Sequence, residues 1–84
     1  MEQHLRHLLD ELSAAIKRSK HHEERDELTR LHEKVERRLE RAEEGEHPGL
    51  VDSLEKAEIQ FESEHPTLVE SLRQAIQALS SAGI

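Results

Sequence analysis

The chain has 84 residues, no cysteine, a single aromatic side chain (Phe61) and a formal net charge of −7. Those figures allow one domain at most, exclude disulfides and thiolate metal sites, and remove the basic field and stacking platforms that nucleic-acid binding uses. Leu, Ile, Val, Phe and Met together supply only 21 large apolar side chains, so a staple is expected: oligomerisation first, with a His/carboxylate metal site or very regular helix packing as the alternatives.

The charge is uneven: residues 1–44 hold ten basic and twelve acidic groups, whereas residues 45–84 hold two and seven. Seven histidines match the net negative charge, so acidification brings the chain towards neutrality and low solubility. No apolar run approaches the roughly 20 residues of a membrane span. The start, MEQHLRHLLDEL, lacks the basic head and apolar core of a signal peptide. A cytoplasmic, soluble protein is expected. Binding flat on anionic lipid is disfavoured too, because the polar faces are acidic or mixed where Lys and Arg are needed.

Four helices follow in order. The first spans about residues 3–17, with Leu5, Leu8, Leu9, Leu12, Ala15 and Ile16 on one stripe. Lys17, Arg18 and Lys20 suit its C-terminus, where cations meet free carbonyls. A turn over residues 19–22 follows, with Ser19 a candidate cap. The second helix, about 22–44, places Leu28, Leu31, Val35, Leu39 and Ala42 on a narrow seam of coiled-coil type. Its interleaved Arg and Glu residues make a solvated face rather than a basic binding surface.

Gly45, Pro48 and Gly49 end that helix. A third, about 48–62, starts on Pro48, since proline suits a helix's first turn, and buries Leu50, Val51, Leu54, Ala57 and Phe61. The second His-Pro, at 65–66, predicts a break or sharp kink across residues 63–65. The fourth helix then runs about 66–80, burying Leu68, Leu72, Ala75, Ile76 and Leu79, with Gly83 placed as its C-cap. Against a break stands an internal repeat. Glu46–Phe61 (EHPGLVDSLEKAEIQF) and Glu64–Leu79 (EHPTLVESLRQAIQAL) share a pattern 18 residues apart, about five whole helical turns, which also suits one proline-kinked helix. The fold expected is all-α: an antiparallel helical hairpin followed by two shorter helices or one kinked one, forming an oligomeric, coiled-coil-like bundle in a single domain, 1–84.

The segment FESEHPTL and the ending SLRQAIQALSSAGI resemble the small bacterial proteins grouped as domain of unknown function 4404. The residues that carry the likeness are Phe61, Glu62, His65, Pro66, Leu68, Gly83 and Ile84, and it is specific over residues 57–84. The resemblance implies a small bacterial cytoplasmic helical protein and brings no activity with it.

Few residue constellations carry chemistry. Glu-x-x-His occurs at Glu44…His47 and at Glu62…His65, the spacing of di-iron and di-manganese bundle sites. Such sites need Glu and His on one continuous helical face, whereas each His here precedes a proline that starts a new helix. His4, His7 and Glu11 lie at a spacing that grips zinc only with further ligands. Surface histidines and helix-flanking His-Pro pairs explain both patterns, so no metal and no cofactor is expected. There is no phosphate loop, and no serine lies in a nucleophile motif. No catalytic residue is expected, and the protein is not expected to be an enzyme.

The function expected is that of a small structural or interaction protein that self-associates through its amphipathic helices. Phe61, Leu68, Leu72, Ile76, Leu79 and Ile84 are expected to form its shared core or interface. The alternatives are a Glu-x-x-His metal-binding bundle and a small acidic inhibitor or adaptor of another, unidentified protein. Homo-oligomers are the expected partners; nucleic acid and membrane are not.

Overall fold

A computed structural model of the protein describes residues 2–40 and 49–81. These form four helices with no strand among the described residues: α1 (Glu2–Arg18), α2 (His22–Glu40), α3 (Leu50–Gln60) and α4 (Pro66–Ser81). The expected continuation of the second helix to residue 44, the Gly45–Pro48 break and the Gly83 cap lie outside the described residues.

Each helix forms on its apolar stripe. In α1 the buried positions are Leu5, Leu8, Leu12 and Ala15, spaced three or four apart, so they share one face. In α2 only Leu28, Leu31 and Val35 are buried, as a narrow seam requires. Leu50, Leu54 and Ala57 are buried in α3, and Phe61 just beyond it. All join Leu68, Leu72, Ala75 and Leu79 of α4 in one core, with Leu9, Ile16, Leu39, Val51 and Ile76 packed half-buried at its margin.

Side-chain contacts fix the directions. Lys34 Nζ donates to Ser53 Oγ at 3.0 Å and the Gln60 amide donates to the Glu27 carboxylate. Residue numbers thus fall along α2 as they rise along α3, which makes the pair antiparallel. The α1–α2 turn and the α3–α4 turn lie at the same end, because Glu24 and His65 touch there. The helices therefore run alternately up and down. Helix α1 packs against α2 and α4, and α3 packs against α4 and, less closely, α2. The long dimension of 36 Å, against 20 and 19 Å across, is close to one helix length, since 19 residues rise about 28 Å.

The second His-Pro makes a full reversal rather than a kink. Arg73 Nε donates to Glu58 Oε2 at 2.7 Å, 15 residues away; in a continuous helix those positions would stand about 22 Å apart along the axis. Because the chain folds back, α4 lies between α1 and α3. Its buried arc is wider than its Leu stripe and takes in Val69 and Ser71.

The residues expected to form a shared core or interface have a different placement from one another. Phe61, Leu68, Leu72 and Leu79 are buried within the single chain, Ile76 is half-buried at the core margin, and Ile84 lies outside the described residues. Four apolar faces cover one another more fully than their residue count implied.

Helix α3 starts at a glycine in the left-handed region. Gly49 has φ 81° and ψ −2°, and its carbonyl accepts from the Ser53 N–H at 2.8 Å. A Cβ there would meet nothing within 4 Å, so the cost of adding one is purely conformational.

Two stability changes follow from this packing. Phe61→Ala removes the one aromatic ring of the core and should cost roughly 3–5 kcal/mol, a fall in Tm of well over about 10 °C in thermal unfolding followed by circular dichroism. Gly49→Ala should cost about 1 kcal/mol, a fall of roughly 4–8 °C, without changing the helical signal at low temperature. A Phe61→Ala protein that melts like the parent would remove Phe61 from the core.

Candidate functional site

The first wall of the candidate site is the α1–α2 turn. The Ser19 N–H donates to the carbonyls of Ala15 at 2.9 Å and Ile16 at 3.3 Å, closing α1. Ser19 does not cap α2: its hydroxyl donates to the His21 carbonyl at 3.3 Å. That same carbonyl accepts the Arg25 N–H at 3.0 Å, so His21 is the residue on which α2 begins. From one turn inside α2, Arg25 Nη2 donates to the Ser19 carbonyl at 2.9 Å. These bonds occupy the polar groups of a buried serine, as burial demands, and fix Glu24 in the first turn of α2.

The second wall is the α3–α4 turn. The Phe61 N–H donates to the Ala57 carbonyl at 2.9 Å, the His65 N–H to the Phe61 carbonyl at 3.0 Å, and the Val69 N–H to the His65 carbonyl at 3.0 Å. His65 thus precedes the first residue of α4, and Pro66 takes the position where a missing N–H costs nothing. The His65 side chain turns inward and is buried. Its ring packs edge-on to Phe61, with centroids 5.9 Å apart and planes at 72°, a favoured aromatic geometry.

The two walls meet through one short contact. His65 Nε2–H donates to Glu24 Oε1 at 2.5 Å, across 41 residues of sequence. The side chains are only 7% and 15% exposed, so little water competes for either group. The hydrogen bond from the His65 ring holds the Glu24 carboxyl below its usual range, against burial, which pushes it up. Hydrogen bonding with the neighbouring Glu64 carboxyl and the charge of His21 act in the same direction as His65. The start of α2 adds its own partial positive charge, which favours an anion there.

Glu64 completes the group. One ligand atom each from Glu24, Glu64 and His65 lies within 4.8 Å of the others, in an open cleft also lined by His21, Arg18 and Lys20. Of the metal patterns considered in the sequence, only His65 takes part. Glu62 is exposed and outside the group, because α3 stops at Gln60 and the three-residue spacing no longer spans a helical face. Glu44 and His47 lie outside the described residues. His4, His7 and Glu11 form no such group among the described residues. Glu24 and Glu64 escaped sequence reading. Glu24 carries no local signal at a separation of 41 residues; the sole hint at Glu64 is its position beside the His-Pro pair.

A second polar cluster bridges α1 and α2. Ser13 Oγ lies 3.2 Å from His32 Nε2, and His32 Nδ1 lies 3.9 Å from Glu36 Oε1. The order of groups is that of a serine–histidine–acid relay. The last gap is too long for the hydrogen bond that orients such an imidazole. Both Ser13 and His32 also sit in mid-helix, where backbone N–H groups are engaged in the helix rather than free to hold an oxyanion.

Fold and site together define a small all-α bundle with alternating helix directions, clasped at one end by an imidazole–carboxylate contact. The chain belongs to the family described as domain of unknown function (DUF4404), whose family profile matches residues 2–84; the match thus takes in α1 and α2 as well as the C-terminal segment. No curated protein and no solved structure matches it.

The clasp gives stability a pH dependence of known sign. Folding lowers the Glu24 pKa, so below the ordinary carboxylate range the unfolded chain binds the extra proton and folding loses this contribution. In urea unfolding of chelator-treated protein, stability should be full above about pH 5 and decline progressively below it. Glu24→Gln should be less stable at pH 7 by about 1.5–3 kcal/mol, the range for a hydrogen bond to a charged group, and its decline below pH 5 should be shallower. Parallel pH curves for the two proteins would show that Glu24 is not the group responsible.

Proposed function

We propose that the protein is a small non-catalytic interaction module that pairs with a second copy of itself through its α2–α3 side. The observation that carries this reading is Ile59, which is 77% exposed while the large apolar residues of the core are buried. Ile59 lies on the outward face of α3, about one helical turn from Lys56; Lys56 lines a groove between α2 and α3 together with Leu31, Phe61, Glu27, Arg30 and Lys34, and Ile59 itself does not line it. Both charge signs are present in that groove, so two copies related by a two-fold axis offer each other complementary groups, although the chains carry net negative charge. It is also the side on which neighbouring helices of one chain touch least. Of the residues expected to form a shared core or interface, Phe61, Leu68, Leu72 and Leu79 are spent on the internal core, and the α2–α3 side takes the interface role in this reading.

The long His32–Glu36 separation leaves the Ser13–His32–Glu36 series without the geometry of a catalytic relay. The acidic second half of the chain supplies the competing reading, an adaptor for a basic protein surface.

Native mass spectrometry and light scattering at tens of micromolar should find a dimer. Ile59→Lys should return it to monomer, weakening association at least tenfold, while Tm measured at low protein concentration stays within about 2 °C, because an exposed side chain contributes little to folding. A monomer at every concentration, or a dimer indifferent to Ile59→Lys, would refute the proposed pairing.

A further inference from the structure

We propose that Glu24, Glu64 and His65 form a binding site for one divalent transition-metal ion, with zinc the best-suited. The proposal is independent of the pairing of chains, since the group lies at the two turns and not on the α2–α3 groove.

The donor set is two carboxylates and one imidazole, drawn from two turns that the fold brings together. Their ligand atoms already lie within 4.8 Å of one another. Tetrahedral zinc with bonds of about 2.0–2.1 Å needs donors roughly 3.3–3.5 Å apart, so adjustments on the scale of an ångström suffice. The Nε2–Oε1 distance of 2.5 Å must open, while Glu64, being exposed, is free to close in. Water supplies the fourth position; His21 lines the same cleft but stands outside the group of mutually close donor atoms. An imidazole in the set favours zinc, manganese or iron over magnesium and calcium, which prefer oxygen ligands alone.

The protein also provides what keeps a ligand in place. His65 is buried, its backbone bonded on both sides, and its ring is set against Phe61, so it has little rotational freedom to lose. Ligation exchanges one contact for another: the Nε2–H···Oε1 bond is given up, Nε2 presents its lone pair with the ring proton on Nδ1, and the Glu24 oxygen turns to the metal. Arg18 and Lys20 line the cleft and oppose a cation, but both are exposed and their long stems let the charged heads move into water.

Nothing in the spacing of residues along the chain points to this group. The Glu-x-x-His spacing singles out Glu62 with His65, whereas the observed reversal replaces Glu62 by Glu64 and recruits Glu24 from another helix. A metal held here joins the α1–α2 and α3–α4 turns at one end of the bundle, so its binding is linked to folding.

The test is titration of the untagged, chelator-dialysed full chain with Zn²⁺, read by calorimetry, native mass spectrometry and Tm. One zinc per chain and a rise in Tm are expected, with excess Mg²⁺ failing to displace it. Glu64→Gln alters the hydrogen bonding of Glu24 and so shifts the metal-free Tm modestly, but it should weaken zinc at least tenfold and abolish the Tm rise that zinc brings. His65→Gln lowers metal-free stability whatever the outcome, so Glu64→Gln is the decisive variant. The double variant His4→Gln/His7→Gln should bind as the parent does. Zinc uptake that survives Glu64→Gln, uptake lost in the His4/His7 variant, or no uptake at a hundred micromolar would each overturn the proposal.

Discussion

The reversal at residues 61–65 is the constraint on which the rest of the structure depends. The two repeated segments place Leu54 and Leu72, or Leu50 and Leu68, 18 residues apart, in near-identical helical phase. Joined in one continuous helix, their apolar stripes would lie end to end on the same side of a rod, and neither could cover the other. Pro66 prevents that outcome by removing one N–H and by disfavouring helical angles at His65. Once the chain turns back, equal phase becomes an advantage: the two stripes face each other across the antiparallel pair, and Phe61 is buried at the turn. A repeat that on a straight axis gives an amphipathic rod gives half a bundle when folded at its proline.

The second consequence of the reversal is where it leaves His65. The residue before a helix-initiating proline has no obligation to the helix interior, so its side chain is available for tertiary contact. Here it reaches Glu24 in the other hairpin. Among the described residues α2 and α3 pack least closely of the four neighbouring pairs in the bundle, and few apolar residues of α2 are buried. A directional bond between hairpins therefore adds what a narrow hydrophobic seam supplies weakly: it selects one relative placement of the two turns. Its members are polar and nearly dry, so the selection is strong only while the pair remains satisfied.

The helices were legible because each depends on local periodicity. Leu5, Leu8 and Leu12, or Leu68, Leu72 and Leu79, mark their faces without reference to anything distant, and His65-Pro66 announces the start of α4; the third helix, expected to start on Pro48, starts at Leu50 after a left-handed Gly49, with Pro48 outside the described residues. The turn at residues 19–21 was legible in place but not in chemistry. Ser19 has the composition of an N-cap, yet its hydroxyl serves the His21 carbonyl, and Arg25 completes the turn from inside α2. The polar cluster was illegible for a stronger reason. Glu24 is one of four acidic residues between positions 23 and 27, identical by composition to its neighbours, and only the angle between hairpins decides which of them meets His65. Sequence spacing along one helix cannot encode a contact between two turns.

The location of that cluster also follows from size. A bundle of four short helices with Leu, Val and Ala at its centre has its interior filled by side chains, and desolvating several charges there would cost several kcal/mol for each ion. At the bundle's end the conditions differ. Helix starts bring partial positive charge, turns expose backbone groups that fix side-chain positions, and the burial of His65 and Glu24 fades to the exposure of Glu64 within a few ångströms. Carboxylates can stay ionised there, an imidazole can be held rigidly, and solvent still has access. In a protein too small to enclose a pocket, the meeting point of two turns is the place where polar chemistry is compatible with a stable fold.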